Sequence, residues 1–320
     1  MKALKRSLSR LGWRSTRLFL AIAFLLAVVA LPVTLIVNAN AAPGATIQFV
    51  SPDWVKSQAN NSNLRILDVR NNPLEYISAH LPNAVNIADA AFRGPDGRLP
   101  VQYWSEPKLT QILGNAGVSN NSKVLVYSDA RDVLGATMVA YILERLGFQD
   151  IAVLDGGFTG YKVSNGEVTK AYPKYSVAQP KVQDNPNIRV NLAQVKQLIG
   201  KPGVVFVDPR PPKLFSGEEN VFIRNGHIPG ARNIPWPTFT TTDNPHKLKS
   251  LDEIKAILAS KKVDPSQDVI VTCSTGREAT LQYIVLKHLL KYPKVRIYEG
   301  SWTEYSATDL PVQTGPDPIG

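Results

Sequence analysis

The chain contains an internal repeat. Residues 64–92 resemble residues 204–239, and residues 123–161 resemble residues 268–305, in the same order. Four anchor residues of the first copy have counterparts 140 to 147 positions later, namely Asp68 and Asp208, His80 and His227, Ser128 and Cys273, and Gly156 and Gly300. A similarity of this extent indicates a duplicated domain, so whatever fold the first copy adopts, the second must adopt as well.

Each copy alternates short β-branched runs with amphipathic segments. RILDV, AVNI, KVLVYS and IAVLD predict strands in the first copy, and VVFVD, ARNI, DVIVTC and VRIYE predict strands in the second. Residues 134–146 and 251–260 place apolar side chains at helical spacing. Apolar strands alternating with helices are typical of α/β domains, in which a mainly parallel sheet carries helices on both faces. We expect domains at 46–165 and 188–318, joined by a proline-containing polar linker at 166–187.

The first 41 residues differ from the rest of the chain. Six basic residues and no acidic one precede an apolar run at 18–37, and Ala39-Asn40-Ala41 follows. This order is typical of an export signal cleaved after Ala41. The run has 20 residues and could also cross a bilayer, so an uncleaved anchor is the alternative. In either case we expect an exported body, periplasmic or extracellular, with membrane contact only if residues 18–37 are retained.

The charge distribution argues against a nucleic-acid partner. The whole chain carries +10, but six of the positive charges lie within residues 1–41, so the body carries only about +4. Its Lys and Arg residues are scattered, whereas nucleic-acid binding needs a clustered basic face. The four histidines are too dispersed along the sequence to suggest a metal site: His80, His227, His246 and His288.

Cys273 is the one cysteine of the chain, so it cannot form an internal disulfide. It is either a small buried hydrophobic residue or a free thiol. It follows a predicted strand and begins a short polar turn that leads into a helix, where backbone N–H groups favour negative charge. We expect this setting, together with Arg277 in the turn, to lower the pKa of the thiol and make it a nucleophile.

Several motifs together resemble the two-domain rhodaneses, the thiosulfate and 3-mercaptopyruvate sulfurtransferases. They are GHIPGARNIP at 226–235 with its weaker copy AHLPNAVNI at 79–87, VTCSTGREAT at 271–280, and YEGSWTEY at 298–305. The resemblance extends over roughly residues 46–318 and implies two tandem rhodanese-like domains, of which the first is non-catalytic and carries Ser128 in place of the cysteine.

The resemblance also implies a mechanism. Cys273 would take the outer sulfur of a donor as a persulfide and pass it to cyanide or a thiol, without a metal or organic cofactor. The N–H groups of the loop after Cys273 would stabilise the persulfide anion. These substrate-binding candidates are Ser274, Thr275, Gly276, Arg277 and Glu278.

The donor is the less determined part of this prediction. Ser-Thr-Gly after the cysteine resembles the mercaptopyruvate subtype in size, whereas Arg277 supplies a loop cation that suits thiosulfate. Leu214 replaces an arginine common in the family, with Lys213 before it, and Arg224 is a second candidate anion ligand. We favour thiosulfate, with 3-mercaptopyruvate as the alternative.

Other functions are less compatible with the sequence. A cysteine phosphatase requires an arginine six positions after the cysteine, where this chain has Ala279. A redox protein would need a resolving partner for Cys273. A non-catalytic sulfur carrier or binding module remains as an alternative, although the cationic loop favours an enzyme. We expect the residues present in both copies, such as His80, His227 and the Asp-x-Arg pairs, to serve the fold.

Overall fold

The computed structural model describes residues 44–97, 99–129, 131–317 and 319. The predicted signal or anchor at 1–41 therefore lies outside the described residues. Within the described part of the chain, no helix combines the length and hydrophobicity needed to cross a membrane. Both copies of the repeat belong to one compact unit, Pro43–Gly320.

The first copy forms a five-stranded parallel sheet in the order β1-β7-β6-β2-β3. An antiparallel hairpin, β4–β5, lies outside this sheet. The strands are β1 Thr46–Val50, β2 Leu64–Asp68, β3 Ala84–Asn86, β4 Arg93–Asp96, β5 Leu99–Tyr103, β6 Lys123–Tyr127 and β7 Asp150–Leu154. The helices are α1 Pro52–Ser57, α2 Pro73–Ser78, α3 Glu106–Asn115, α4 Leu134–Arg145 and α5 Gly157–Val163, with a 3-10 turn at Asp89–Phe92.

The second copy forms an equivalent parallel sheet in the order β10-β9-β11-β12-β8, which is the order of the first sheet read from its β3 edge. Its strands are β8 Arg189–Val190, β9 Val204–Asp208, β10 Arg232–Asn233, β11 Asp268–Val271 and β12 Val295–Tyr298. Its helices are α6 Leu192–Leu198, α7 Pro212–Ser216, α8 Leu251–Ser260, α9 Ala279–Ile284 and α10 Ser301–Tyr305, with 3-10 turns at Pro186–Ile188 and Trp236–Phe239 and a π-helical turn at Val285–Leu289. The structure thus confirms the duplicated α/β architecture.

Residues common to both copies serve the fold, as predicted. The guanidinium Nε of Arg70 lies 2.9 Å from Oδ1 of Asp68, and Arg210 repeats this contact with Asp208 at 2.9 Å. His80 donates from Nδ1 to the carbonyl of Tyr76, and His227 donates in the same way to that of Phe215. These buried contacts recur in a copy without the cysteine, which identifies them as structural.

Helices α4 and α9 join the two copies through one continuous hydrophobic core. The rings of Tyr141 and Tyr283 meet edge to face at 5.2 Å, and the hydroxyls of Thr137 and Thr280 lie 2.8 Å apart. Glu144 of α4 accepts hydrogen bonds from Tyr283 at 3.0 Å. Because both helices follow the loops that end β6 and β11, this packing brings the two loops together at the domain interface.

Candidate functional site

Cys273 lies just beyond the end of β11, in the loop of residues 273–278 that leads into α9, and we call this segment the catalytic loop. Its side chain is fully buried. The amide of Cys273 donates to the hydroxyl of Ser301 at 3.2 Å, and its carbonyl accepts from the amide of Trp302 at 2.8 Å. The start of α10 therefore fixes the base of the loop.

The loop backbone turns towards the sulfur. The amide N of Gly276 lies 3.1 Å from Sγ of Cys273, within N–H···S hydrogen-bond range. Gly276 has φ +82°, and a Cβ at this position would come within 2.9 Å of the carbonyl oxygen of Glu299. Only glycine fits this turn without strain, because its left-handed backbone and the close carbonyl both exclude a side chain.

The resting thiol does not have the low pKa predicted from the sequence. Burial, together with the negative charge of Glu278, raises the pKa of Cys273 to about 12, despite the lowering effect of hydrogen bonds from the Ala279 and Thr275 amides. The expectation of a low pKa was wrong because it counted the loop dipoles and omitted complete desolvation, which favours the neutral thiol.

The side chain of Arg277 reaches into the domain interface. Its guanidinium binds Asp89 through Nε at 3.0 Å and Nη2 at 2.7 Å, and binds Asp132 through Nη1 at 3.1 Å and Nη2 at 2.8 Å. All three side chains are at least 90% buried. We call this ion-pair network the interdomain clamp. The predicted role of Arg277 as a cation for the donor is thus corrected: two carboxylates of the first domain already neutralise it.

Electrostatics support this assignment of the clamp. Burial alone would lower the pKa of the Arg277 guanidinium, but its contacts with Asp132 and Asp89 outweigh burial and raise it. Burial would likewise raise the pKa of Asp132, but the hydrogen bonds and charge of Arg277 lower it overall. Both partners are therefore held in their charged forms.

The remaining loop residues support the turn. Oε2 of Glu278 accepts from the amide of Ser274 at 3.3 Å, and burial raises the pKa of this carboxyl. The carbonyl of Ser274 accepts from the amide and hydroxyl of Thr303. Glu278 thus supports the loop backbone through the Ser274 amide.

The structure also corrects the assignment of Arg224 as an anion ligand. Its guanidinium donates to three main-chain carbonyls, those of Ser306 at 3.1 Å, Leu310 at 2.8 Å and Tyr305 at 3.3 Å. The indole of Trp302, fully buried, donates to the carbonyl of Arg224 at 2.9 Å. This arrangement ties the segment before His227 to the C-terminal part of the domain. Lys213 is exposed on α7.

Two residues of the first-domain hairpin contact the catalytic loop, and sequence reasoning missed both. Nη1 of Arg93 lies 3.0 Å from the hydroxyl of Thr275, and the hydroxyl of Tyr103 donates to the carbonyl of Gly276 at 2.7 Å. Arg93 and Tyr103 face each other across β4 and β5. The Gly94-Pro-Asp-Gly97 turn is a hairpin signal that could have revealed this element.

A cavity of about 370 Å³ lies beside the strand that supports Ser301. Its lining includes Gln102 of the hairpin together with Glu299 and Gly300, which precede Ser301. The arrangement around Cys273 provides one thiol and backbone N–H groups directed at its sulfur. It can form a covalent intermediate on sulfur.

Comparison with known proteins identifies the same two units. A family model for the rhodanese-like domain matches residues 51–164 and again residues 191–308. The chain is 63% identical over 321 residues to a Synechococcus elongatus protein named "Putative thiosulfate sulfurtransferase", with 98% of this chain and 100% of the relative covered. It is 28% identical over 284 residues to the sulfur carrier protein TtuD of Thermus thermophilus, with 83% and 96% covered.

Solved structures show the same architecture. The crystal structure of SseA from Escherichia coli, described with the 3-mercaptopyruvate sulfotransferases and the rhodanese fold, superimposes with a TM-score of 0.73. Identity is 25%, with 81% of this chain and 100% of that chain covered. The duplicated sheets, the loop around Cys273 and the match of both halves to one family model lead to a single conclusion: the chain belongs to the rhodanese-like family of sulfurtransferases.

Proposed function

We propose that this protein transfers sulfane sulfur from thiosulfate to cyanide or a thiol through a persulfide on Cys273. The observation that carries the proposal is the geometry of the sulfur: the chain's single cysteine lies within 3.1 Å of a loop amide, at the carboxyl end of a central strand. The relative that is 63% identical, with 98% of this chain covered, is named "Putative thiosulfate sulfurtransferase", which supports the choice of donor.

Sulfur transfer proceeds by two nucleophilic displacements at sulfur. In the first, the Cys273 thiolate attacks the sulfane sulfur of thiosulfate; a new S–S bond forms, the S–S bond of the donor breaks, and its electron pair leaves with sulfite. In the second, cyanide or a thiolate attacks the outer sulfur of the persulfide, and Cys273 leaves as the thiolate. Cyanide becomes thiocyanate, and a thiol acceptor becomes a persulfide.

The loop amides act on the covalent intermediate. A persulfide anion extends the charge one atom beyond Sγ, towards the N–H groups that already approach the sulfur at Gly276. Fixed dipoles in a water-excluded site stabilise such a charge more than solvent does. Since Cys273 is fully buried, entry of the donor requires the hairpin or the α10 start to move.

The donor argument changes with the structure. Arg277 was the sequence-based reason to favour thiosulfate, and it now belongs to the interdomain clamp. Support for thiosulfate comes instead from the Synechococcus relative, while the likeness to SseA keeps 3-mercaptopyruvate as the alternative donor. Both donors are anions with a transferable sulfur, so the two displacements above apply to each.

A sulfur carrier is the second candidate, favoured by the likeness to TtuD. A carrier and an enzyme would both form the persulfide. They differ in turnover, because a carrier loads once and needs a specific protein acceptor, whereas an enzyme cycles with small acceptors.

Steady-state assays test the proposal. Purified body, residues 42–320, should release thiocyanate from thiosulfate and cyanide over many turnovers, with a higher kcat/KM than for 3-mercaptopyruvate. Mass spectrometry after thiosulfate alone should find one added sulfur on the peptide that contains Cys273. A preference for 3-mercaptopyruvate would reassign the donor, and stoichiometric loading without turnover would establish the carrier.

We also propose that the body acts outside the cytoplasm, on the basis of the basic and apolar N-terminal segment and Ala39-Asn40-Ala41. Fractionation of expressing cells, with N-terminal sequencing of the product, tests this. A product that begins at Ala42 in the periplasm or medium is expected. Full-length protein in the cytoplasm would contradict export, and full-length protein in the membrane would establish the anchor.

A further inference from the structure

The sulfur donor is an anion, and three arginines of the second domain are engaged in other contacts, whereas Lys213 is exposed on α7. Arg277 is neutralised by Asp89 and Asp132, and Arg224 is engaged with carbonyl groups. Arg210 is paired with Asp208. Each of these guanidinium groups is committed to a charged or main-chain partner, so none is available for a donor without loss of a structural contact.

Arg93 differs from these arginines in its partner and exposure. Its guanidinium donates to a neutral group, the hydroxyl of Thr275 in the catalytic loop, at 3.0 Å. Among the described residues, no carboxylate forms an ion pair with it. The side chain is half-buried, in contrast to the buried Arg277. A guanidinium whose partner is a neutral hydroxyl can bind an anionic donor without first releasing a carboxylate.

The fold places Arg93 accurately. The 3-10 turn Asp89–Phe92 ends one residue before it, with Phe92 fully buried and Asp89 held in the interdomain clamp. The register partner of Arg93 across the hairpin, Tyr103, is hydrogen-bonded to Gly276, whose amide contacts the sulfur. Arg93 is thus fixed on both sides, by the clamp and by the Tyr103 contact.

We infer that Arg93 is the donor-recognition residue, an inference that rests on the proposed function. Its guanidinium binds the oxyanion end of the sulfur donor. The first domain, which has no cysteine, thereby selects the substrate. The planar guanidinium presents paired N–H groups that match a sulfonate or carboxylate. On donor entry it exchanges the Thr275 hydroxyl for the anion. Because Thr275 belongs to the same loop as Cys273, an anion bound there brings the donor to the loop that holds the thiol.

Modification kinetics can isolate anion recognition from structure. The Cys273 thiolate attacks the sulfenyl sulfur of a methanethiosulfonate and displaces methanesulfinate, which leaves a mixed disulfide at the chain's single cysteine. The anionic 2-sulfonatoethyl reagent and the neutral methyl reagent differ in charge but share this reaction. In Arg93→Gln, the rate with the anionic reagent should fall about ten- to a hundredfold relative to the rate with the neutral one. Arg93→Lys, which keeps the charge and loses the planar fork, should fall between.

Two control variants separate the alternatives. Thr275→Val removes the same hydrogen bond and keeps the cation, so it should retain the preference for the anionic reagent. Lys255→Gln removes one positive charge at an exposed position of α8 and should leave the rate ratio unchanged. If the ratio of the anionic-reagent rate to the neutral-reagent rate in Arg93→Gln equals that of the wild type, the inference is overturned. This holds whether both rates are unchanged or both fall equally, and Arg93 would then be a structural residue.

Thiosulfate kinetics complete the test. Arg93→Gln should raise KM for thiosulfate about tenfold or more, with a smaller effect on kcat. The modification assay requires no sulfur transfer. Failure of the wild type to turn over thiosulfate would therefore refute the proposed function, while the reagent ratio would still decide the role of Arg93.

Discussion

The loops that follow β6 and β11 occupy equivalent positions in the two copies but differ in their first residue and in the charge of their fifth. Ser128 corresponds to Cys273, and four positions later Asp132 corresponds to Arg277. The hydroxyl of Ser128 donates to the carbonyl of Asp132 and lies 3.3 Å from Nδ1 of His246. The first loop is thus closed on itself and filled by a second-domain imidazole, whereas the second loop keeps its amides for sulfur.

The duplication has made the two loops parts of one site. Asp132 and Arg277, at the same position of each copy, bind each other across the interface. Each half also covers the loop of the other: β4–β5 reaches Thr275 and Gly276, and the second-domain segment around His246 reaches Ser128. The copy without a cysteine therefore supports the loop of the copy that has one, and this arrangement can be disrupted experimentally.

The largest effect is expected at Cys273, where the first loop has a serine. Cys273→Ser should abolish sulfur transfer, because a hydroxyl cannot form the persulfide and the chain has no second cysteine. Single-turnover assays and persulfide mass spectrometry measure this, with circular dichroism to confirm the native fold. Measurable turnover by the serine variant would refute the covalent mechanism.

The second prediction concerns pH. Only the thiolate attacks sulfur, and burial raises the pKa of Cys273 to about 12, so its thiolate fraction at neutral pH is small. The rate of persulfide formation should rise about tenfold per pH unit from pH ~6.5 to ~9. Stopped-flow measurement of the wild type with thiosulfate tests this. A plateau at neutral pH would show that the reactive conformation lowers the pKa of the thiol, which restores the expectation from the sequence.

The third prediction breaks the interdomain clamp. Arg277→Met removes the charged partner of the buried Asp89 carboxylate and leaves Asp132 with only the more exposed Arg131, so it should cost about 3–5 kcal/mol of unfolding free energy. Adding Asp89→Asn and Asp132→Asn to Arg277→Met should recover part of this loss, because it removes the uncompensated charges. Denaturant unfolding of the three proteins measures both steps. A triple variant less stable than Arg277→Met would contradict the clamp.

Arg277→Met also distinguishes between a role of Arg277 as a donor ligand and a role in the interdomain clamp. As a donor ligand it would affect thiosulfate more than 3-mercaptopyruvate. As part of the clamp it should reduce kcat/KM for both donors by the same factor, about ten- to a hundredfold, because it acts through the position of the loop. Unequal losses for the two donors would return Arg277 to the substrate site.

Acid should weaken the clamp in the wild type as well. The pKa of Asp132 is lower in the folded state than its usual value near ~3.9, so its stabilisation is complete above that pH and is lost as the pH falls through the folded-state pKa. Unfolding free energies measured from pH ~5 down to ~2 should therefore fall more steeply for the wild type than for Asp132→Asn. Parallel curves would show that Asp132 keeps its ordinary pKa.

The sequence predicted most of the fold and the position of Cys273 at the end of a strand, because both depend on local pattern. The runs at Val204–Asp208 and Leu251–Ser260 have the predicted bounds, since their apolar periodicity and end signals agree. The position of Cys273 at a strand end followed from the same pattern. These features need no knowledge of which distant residues meet.

The missed features all depend on distant contacts. Arg277 and Asp89 lie 188 positions apart, and nothing in their spacing indicates that they bind. The two-residue strand β8 is too short for a periodic signal, and the hairpin β4–β5 packs on the other domain instead of extending its own sheet. The pKa of Cys273 depends on burial by several elements, which a local motif cannot provide.

The smallest effect is expected in the loop that follows β6, where Ser128 takes the place of Cys273. Ser128→Ala removes one hydrogen bond to Asp132 and one contact with His246, a cost of about 0.5–1.5 kcal/mol in stability. Since neither contact touches the catalytic loop, kcat/KM should stay within about twofold of the wild type, and a loss beyond about tenfold would mean that the first loop takes part in chemistry.

A cysteine at position 128 extends the test. Ser128→Cys combined with Cys273→Ser should form no persulfide with thiosulfate, because His246 fills the first loop and the hairpin with Arg93 covers the other. A persulfide on the new cysteine would show that the loop backbone alone is sufficient for catalysis, and that the support given by the opposite domain is dispensable.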